Sequence, residues 1–201
     1  MAIISFPTSA VPDRASITLE ANTSVNSSDL NRAVQTSEMD GARWRMVLTF
    51  GQRQGRPANA LRGFLAALNG RANRFYYTPP DLENEGTAGN TGEVDGAGQT
   101  GVTLYTNLWP ADQELLFAAG DYFEVNGELK IITEDIASDA SGNAELKFAP
   151  KLRTSPANAE PIEVDDPRAL MMLENDSQAS WQATAPVVYG LSLSAVEDVT
   201  A

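Results

Sequence analysis

Short alternations of apolar and polar residues recur along the chain and predict a mainly β protein. The clearest run, residues 44–50, places large apolar side chains at every second position and ends at Gly51, as a half-buried strand does. Similar runs predict strands at residues 16–20, 71–78, 102–106, 144–149, 161–164, 169–173, 179–183 and 187–193. No internal repeat is visible.

One segment has the helical period instead. Its apolar positions follow the i, i+3, i+4, i+7 spacing of a single stripe, at Leu61, Phe64, Leu65 and Leu68. Pro57 favours the first turn of a helix and Gly70 favours its end. We therefore predict one amphipathic helix over residues 57–69.

The centre of the chain carries a hairpin signal. Residues 121–125 and 128–133 flank Asn126-Gly127, the pair that a type I′ turn prefers because both positions need positive φ. With the strand at 144–149, this indicates a small antiparallel barrel or sandwich. We predict a sandwich-like first domain from residues 1–82 and 161–201, and an inserted β-barrel from residues 83–160.

A glycine-rich segment separates the two predicted domains. Residues 82–101 contain six glycines and are too long for an ordinary tight connection, which indicates a domain boundary or an interaction loop. Residues 96–101 match the G-x-G-x-x-G pattern of dinucleotide sites. The run that follows them is strand-like, whereas a dinucleotide site needs a helix there, so a flexible loop is the better interpretation.

The composition excludes most enzyme chemistry. The chain has no cysteine and no histidine, and its three lysines are Lys130, Lys147 and Lys151. Thiolate nucleophiles, His-based triads and a P-loop lysine are therefore absent. No apolar run approaches the roughly 18 residues of a membrane helix, and the first residues lack the features of a signal peptide. Carboxylate chemistry, binding or a structural role remains, and we expect no enzyme, cofactor or metal.

The charge is divided unevenly along the chain. Residues 1–80 carry nine arginines and five acidic residues, and residues 81–201 carry five basic and 22 acidic residues, so the net charges are +4 and −17. Because arginine suits pairing with carboxylates across interfaces, the division predicts contacts between copies of the chain. The candidate interface residues are Arg56, Arg62, Arg71 and Arg74. The alternatives are an acidic surface that serves solubility, and an arginine footprint for nucleic acid, which the acidic chain disfavours.

Three further groups of residues have a candidate chemistry. The oxygens of residues 135–145 surround Gly142 but lack the spacing of a calcium loop, and turn chemistry explains them. The neighbouring acids, such as Asp165 and Asp166, leave a carboxylate-based glycoside hydrolase open. The aromatic residues Tyr105, Trp109 and Tyr122 are the candidates for a glycan platform, although strand aromatics are more often core.

Several motifs in series resemble the distal tail proteins, or tail hubs, of long-tailed bacteriophages. They are the strand at 44–50, the helix at 56–69, the aromatic strand at 75–77, and the runs Ala-Ala-Gly-Asp-Tyr-Phe-Glu-Val-Asn-Gly at 118–127, Asp-Ala-Ser-Gly-Asn at 139–143 and Phe-Ala-Pro-Lys-Leu-Arg at 148–153. The resemblance covers most of the chain. It implies that the first domain is the ring-forming belt domain and that the inserted barrel is OB-like or galectin-like.

The resemblance also implies a function. The chain would form a hexameric ring at the distal end of the tail tube, in the virion, after synthesis in the host cytoplasm. The ring would join the tail tube protein to tip or fibre proteins and leave a channel for genomic DNA, with no specific DNA binding and no membrane contact. The glycine-rich residues 86–101 are expected to order on assembly. A carbohydrate-binding module and, with less support, a carboxylate hydrolase remain the alternatives.

Overall fold

The computed structural model describes residues 1–178, 180, 182–184 and 188–199. Within these residues the chain is mostly antiparallel β-structure with one α-helix, as the sequence predicts. The strands before the barrel are β1 Arg14–Glu20, β2 Thr23–Ser27, β3 Val34–Glu38, β4 Arg43–Arg53 and β5 Phe75–Tyr77. Those of the barrel are β6 Glu93–Val94, β7 Gly101–Asn107, β8 Tyr122–Val125, β9 Glu128–Ile132, β10 Ala144–Leu152 and β11 Ile162–Glu163. The last three are β12 Ala169–Leu173, β13 Gln182–Thr184 and β14 Val188–Glu197.

The first sheet is built around β4. Its order is β1–β4–β14–β12–β5, β13 pairs with β14, and all these pairings are antiparallel. Leu48 of β4 lies opposite Ala15 on one side and Leu193 on the other. Every second residue of β4 from Trp44 to Phe50 is buried, which confirms the alternation predicted for residues 44–50. The predicted strands at 179–183 and 187–193 fall partly on residues outside the described ones.

Helix α1 spans Gly55–Leu68, close to the predicted 57–69. The predicted stripe is buried, together with Ala58. Asn69 ends the helix in the left-handed conformation at φ 50°, and its N–H donates to the Ala66 carbonyl at 3.2 Å. Phe64 packs edge-on against Phe6 and Phe75, with ring centroids 5.2 and 5.3 Å apart, and so fixes the helix to the sheet.

The second sheet curls into a barrel of order β11–β8–β9–β10–β7–β6. A bridge between Glu93 and Pro161 and a 3.0 Å hydrogen bond from the Val94 N–H to the Glu160 carbonyl bring its two ends together. The turn between β8 and β9 has Asn126 at φ 51° and Gly127 at φ 74°, as the predicted two-residue turn requires.

The barrel extends beyond the boundary predicted at residue 160. Ile162 pairs with Val125 of β8, and both Ile162 and Val164 are buried in the barrel core. The chain rejoins the first sheet at β12. The sequence of residues 161–164 predicts a strand but does not show which sheet the strand joins, because its pairing partner in β8 lies far away in the chain.

The first part of the glycine-rich segment is packed against the barrel, so the interpretation as a flexible loop does not apply to this part. That the segment orders on assembly stays a prediction. The Gly86 N–H donates to Asp121 at 3.0 Å, and the Thr87 N–H donates to the Leu115 carbonyl at 3.2 Å. A Cβ on Gly92 would lie 2.1 Å from the Trp109 indole. Glycine is needed there because the indole covers the backbone.

Two elements share the buried face of the first sheet. Helix α1 covers the Phe50 end of β4, where Leu61 lines the same small hollow as Phe50. The β8–β9 hairpin covers the other end, where the Trp44 indole N–H donates to the Leu129 carbonyl at 2.9 Å. The barrel therefore completes the core of the first sheet.

The β8–β9 hairpin can do this because both of its faces are buried. Tyr122 and Leu129 belong to the core of the first sheet. Phe123, Val125 and Ile132 belong to the core of the barrel. The two faces explain why apolar residues stand at neighbouring positions of the hairpin, as in Tyr122-Phe123 and Ile131-Ile132, instead of strictly alternating with polar ones.

Candidate assembly interface

A β-hairpin projects from the first sheet and is the largest feature that the sequence patterns miss. Strands β2 and β3 pair only with each other among the described residues, with Val25 opposite Thr36 and Ser27 opposite Val34. All ten residues of the two strands are exposed. The connecting loop carries Leu30, which is 100% exposed.

The hairpin has one face that carries its two valines, called the apolar face below, and one face that is polar throughout. Residues directly opposite in an antiparallel pair share a face, and side chains alternate along each strand. One face therefore carries mostly β-branched side chains, at Thr23, Val25, Ser27, Val34, Thr36 and Glu38. The other face is polar throughout, at Ser24, Asn26, Gln35 and Ser37. Val25 and Val34 are 61% and 63% exposed, so the described part of the chain leaves the apolar face uncovered.

The base of the hairpin is held firmly. The Met39 N–H donates to the Asn22 carbonyl at 2.8 Å, and the Asn22 amide donates to the Asp40 carbonyl at 2.6 Å. Asp40 also forms an ion pair with Lys151 at the end of β10. The first two contacts close the base of the hairpin, and the ion pair with Lys151 joins this base to the barrel.

The four candidate interface arginines have different surroundings. Arg56 and Arg71 are exposed. Arg62 is half-buried beside Phe50 and is engaged within the chain. The prediction is wrong for Arg74, whose Nε lies 2.5 Å from the carboxylate of the buried Asp198, with an Arg74 side chain only 11% exposed.

Several other arginines also pair within the chain. The pairs are Arg43–Glu20, Arg45–Glu174 and Arg53–Asp13. The hydrogen bond from Arg53 holds the pKa of Asp13 below its usual value. Asp13 and Glu20 flank and end β1, which pairs with β4, so two of these pairs lie within the first half of the chain. Arg45–Glu174, like Arg74–Asp198, joins an arginine of the first half to an acid of the second half. Part of the opposite net charges of the two halves, +4 and −17, is thus neutralised by ion pairs within one molecule.

The three candidate glycan-platform residues do not form a platform. Trp109 is 4% exposed, and its indole N–H donates to the Thr106 hydroxyl at 2.7 Å inside the barrel. Tyr122 is 7% exposed and packs against Trp44 at 6.0 Å between ring centroids. Tyr105 is exposed on β7. The platform interpretation is therefore wrong, and the preferred core interpretation holds for two of the three residues.

Among the acidic candidates, Asp139 stabilises a local turn. The Asp139 carboxylate accepts hydrogen bonds from the backbone N–H groups of Ser141 and Asn143, both at 2.8 Å. The bonds from Asn143 are the main cause that lowers the pKa of Asp139. Among the described residues, no group of three or more acidic side chains is placed to hold a metal ion. Residues 96–101 lead directly into β7, so no helix start lies behind the glycines.

Comparisons of the sequence with protein families and with curated proteins found no relative. No protein-family model matches the chain, and no curated protein is significantly similar to it. In the part of the chain that the structure describes, no helix has the length and apolar character needed to cross a membrane.

Proposed function

We propose that this chain is a structural subunit of a bacteriophage tail, and that copies of it close into a hexameric ring, the hub that joins the tail tube to tip or fibre proteins. The resemblance of the sequence motifs supports the family. The observation that carries the proposal is the projecting β2–β3 hairpin with its uncovered apolar face. A hairpin of this kind is only marginally stable by itself, and burial against a neighbour stabilises it.

A second surface of the same chain is suited to receive that hairpin. A groove of about 720 Å³ lies between β1 and β5, the two edge strands of the first sheet. Its apolar lining includes Phe6, Val11, Tyr76 and Tyr77. An arm on one surface and a groove on another make a heterologous contact, which closes into a ring when the rotation between copies allows it.

The charges at both surfaces are compatible with this contact. The groove carries Arg14 and Asp81, and the hairpin carries Arg32 and Glu38. With Asp13 in the groove and Asp29 in the hairpin loop, each surface offers one basic and two acidic side chains beside its apolar residues, and charged residues around an apolar centre are common in protein interfaces. The exposed Arg56 and Arg71 provide further sites for pairing with the acidic barrel of a neighbour.

The barrel gives the ring an acidic character. Its exposed carboxylates include Asp112, Glu114, Asp135, Glu145 and Asp165. Like-charge repulsion prevents such a surface from retaining DNA phosphates. A channel lined by these barrels lets DNA pass without binding it.

The hairpin proposal is tested by a pair of double variants. V25D/V34D places two carboxylates on the apolar face, and N26D/Q35D adds the same charges to the polar face of the same strands. We expect the wild type and N26D/Q35D to form rings in negative-stain images, and V25D/V34D to remain monomeric by light scattering. Equal assembly of the two variants would show that the apolar face is not the contact.

The alternative of a carbohydrate-binding module has a separate readout. A wild-type chain that stays monomeric up to its solubility limit and binds glycans would contradict the hub.

A further inference from the structure

A cluster of buried charged residues lies at the junction between the first sheet and the barrel. The members are Glu197 at the end of β14, Glu128 and Lys130 on β9, and Arg153 directly after β10. Lys130 is 0% exposed, and Glu197 is 1% exposed. Such residues are rarely buried unless they are paired, so the cluster needs a structural explanation.

The cluster connects the two units through directional contacts. Arg153 Nη2 lies 2.5 Å from Glu197 Oε1, and the other oxygen of Glu197 accepts the backbone N–H of Trp44 at 3.0 Å. Glu197 and Trp44 belong to the first sheet, and Arg153 belongs to the barrel. The Glu197 carboxylate thus contacts both the first sheet and the barrel.

The barrel side of the cluster is itself fixed. Glu128 accepts hydrogen bonds from the backbone N–H groups of Arg153 and Thr154, at 3.1 and 3.0 Å. Lys130 Nζ donates to Glu128 at 2.7 Å and to the Lys151 carbonyl at 3.0 Å. These bonds hold the backbone around Arg153 and therefore direct its guanidinium toward Glu197.

A second directional contact lies elsewhere on the same junction, where the Arg168 backbone N–H donates to the carboxylate of Glu124 at 2.8 Å. The Arg168 guanidinium stacks on the ring of Tyr76 in β5 at 4.8 Å from the centroid, and its Nε lies 3.7 Å from Glu124 of β8. Together with the hydrogen bond from the Trp44 indole to Leu129, these contacts lie at separate places on the junction and so define an orientation between the two bodies.

The physical role of such a cluster differs from that of the apolar contact beside it. Buried ion pairs contribute little net stability, because desolvation offsets the attraction between the charges. Apolar contact is non-directional and permits sliding. We propose that the Glu197–Arg153–Glu128–Lys130 cluster is an orientation latch, which holds the barrel in one direction on the first sheet so that every copy presents its barrel identically.

The proposal concerns a single chain and is tested independently of ring formation. Because the chain has no native cysteine, spin labels at Ala66→Cys on α1 and Glu145→Cys on β10 report one distance between the two units. Both positions are exposed. The labelled chain is diluted with unlabelled chain, so that only distances within one molecule are measured.

Two substitutions separate the latch from ordinary ion pairing. E197Q removes the buried charge and keeps the size of the side chain, and E174Q does the same at the half-exposed Arg45–Glu174 pair. We expect a narrow distance distribution in the wild type and in E174Q, and a broadened one in E197Q. We also expect amide exchange in E197Q to rise about tenfold at Trp44 and Leu129 and to stay unchanged at Leu104 and Leu146 in the barrel core.

Three results would overturn the latch. They are a broad distribution in the wild type, an E197Q distribution equal to that of E174Q, and exchange that rises uniformly along the chain. If E197Q does not fold, R153K keeps the charge and loses the planar guanidinium, and it is judged by the same two measurements. A latch predicts broadening in R153K as well, and an unchanged R153K distribution would contradict it.

Discussion

At the scale of single residues, Tyr122 shows how the junction affects the response to pH. Burial raises its pKa from 10.0 to about 12, and the nearby Asp81 acts in the same direction. Between these pH values the unfolded chain loses the phenolic proton and the folded chain keeps it. The unfolded state then binds fewer protons, so stability falls as pH rises through this range.

The expected outcome is a decline in the urea midpoint between about pH 10 and about pH 12 that is shallower in Y122F than in the wild type. Tyr77, whose pKa burial also raises to about 12, accounts for a similar part of the decline and remains in that variant. Equal slopes for Y122F and wild type would show that Tyr122 titrates alike in both states.

Two contacts also show which features of the site the sequence alone does not predict. The partners of Arg74 and Trp44 are Asp198 and Leu129, which lie 124 and 85 positions further along the chain. Composition identifies an arginine-rich half and an acidic half, but the sheet order decides which charges pair internally. For this reason Arg56 and Arg71 are exposed and stay candidates for the interface, whereas Arg74 is paired inside the chain.

At the scale of elements, the glycine-rich segment illustrates a structural use of glycine. The Trp109 indole occupies the space above Gly92, and a Cβ there would meet it at 2.1 Å. We expect G92A to lower the free energy of unfolding by about 1–3 kcal/mol, the usual cost of overpacking. The matched control is G89A, because a Cβ on Gly89 meets no atom within 4 Å. Equal urea midpoints for the two variants would contradict the packing described for this segment.

Elements whose sequence pattern is complete within a few neighbouring residues are predictable. Elements whose residues are selected by a partner elsewhere are not. The α1 stripe and the Asn126-Gly127 turn are complete within a few residues, so their patterns suffice. The β2–β3 hairpin offers one valine in each strand among polar residues. Since no core of its own chain selects its residues, its hydrophobic alternation is weak, and the sequence analysis leaves it without a prediction.

At the scale of the whole molecule, the barrel is an integral part of the core. We expect a chain in which a short linker replaces residues 83–165 to lose its cooperative unfolding transition, because Trp44 then loses the cover of the β8–β9 hairpin. Thr78 and Asp166, which are hydrogen-bonded at 2.6 Å, show that the linker has little distance to span. Removal of residues 23–38 is the control and should leave the transition intact. A cooperative transition in the barrel-free chain would refute the shared core.

The central claim is that this chain assembles with itself through a projecting arm. The most direct measurement is the mass of the purified wild-type chain in solution, with images of the same sample. The account predicts closed rings with about six times the 21.5 kDa of one chain, and their loss in V25D/V34D but not in N26D/Q35D. A monomer at every concentration, or assembly that V25D/V34D leaves unchanged, would contradict it.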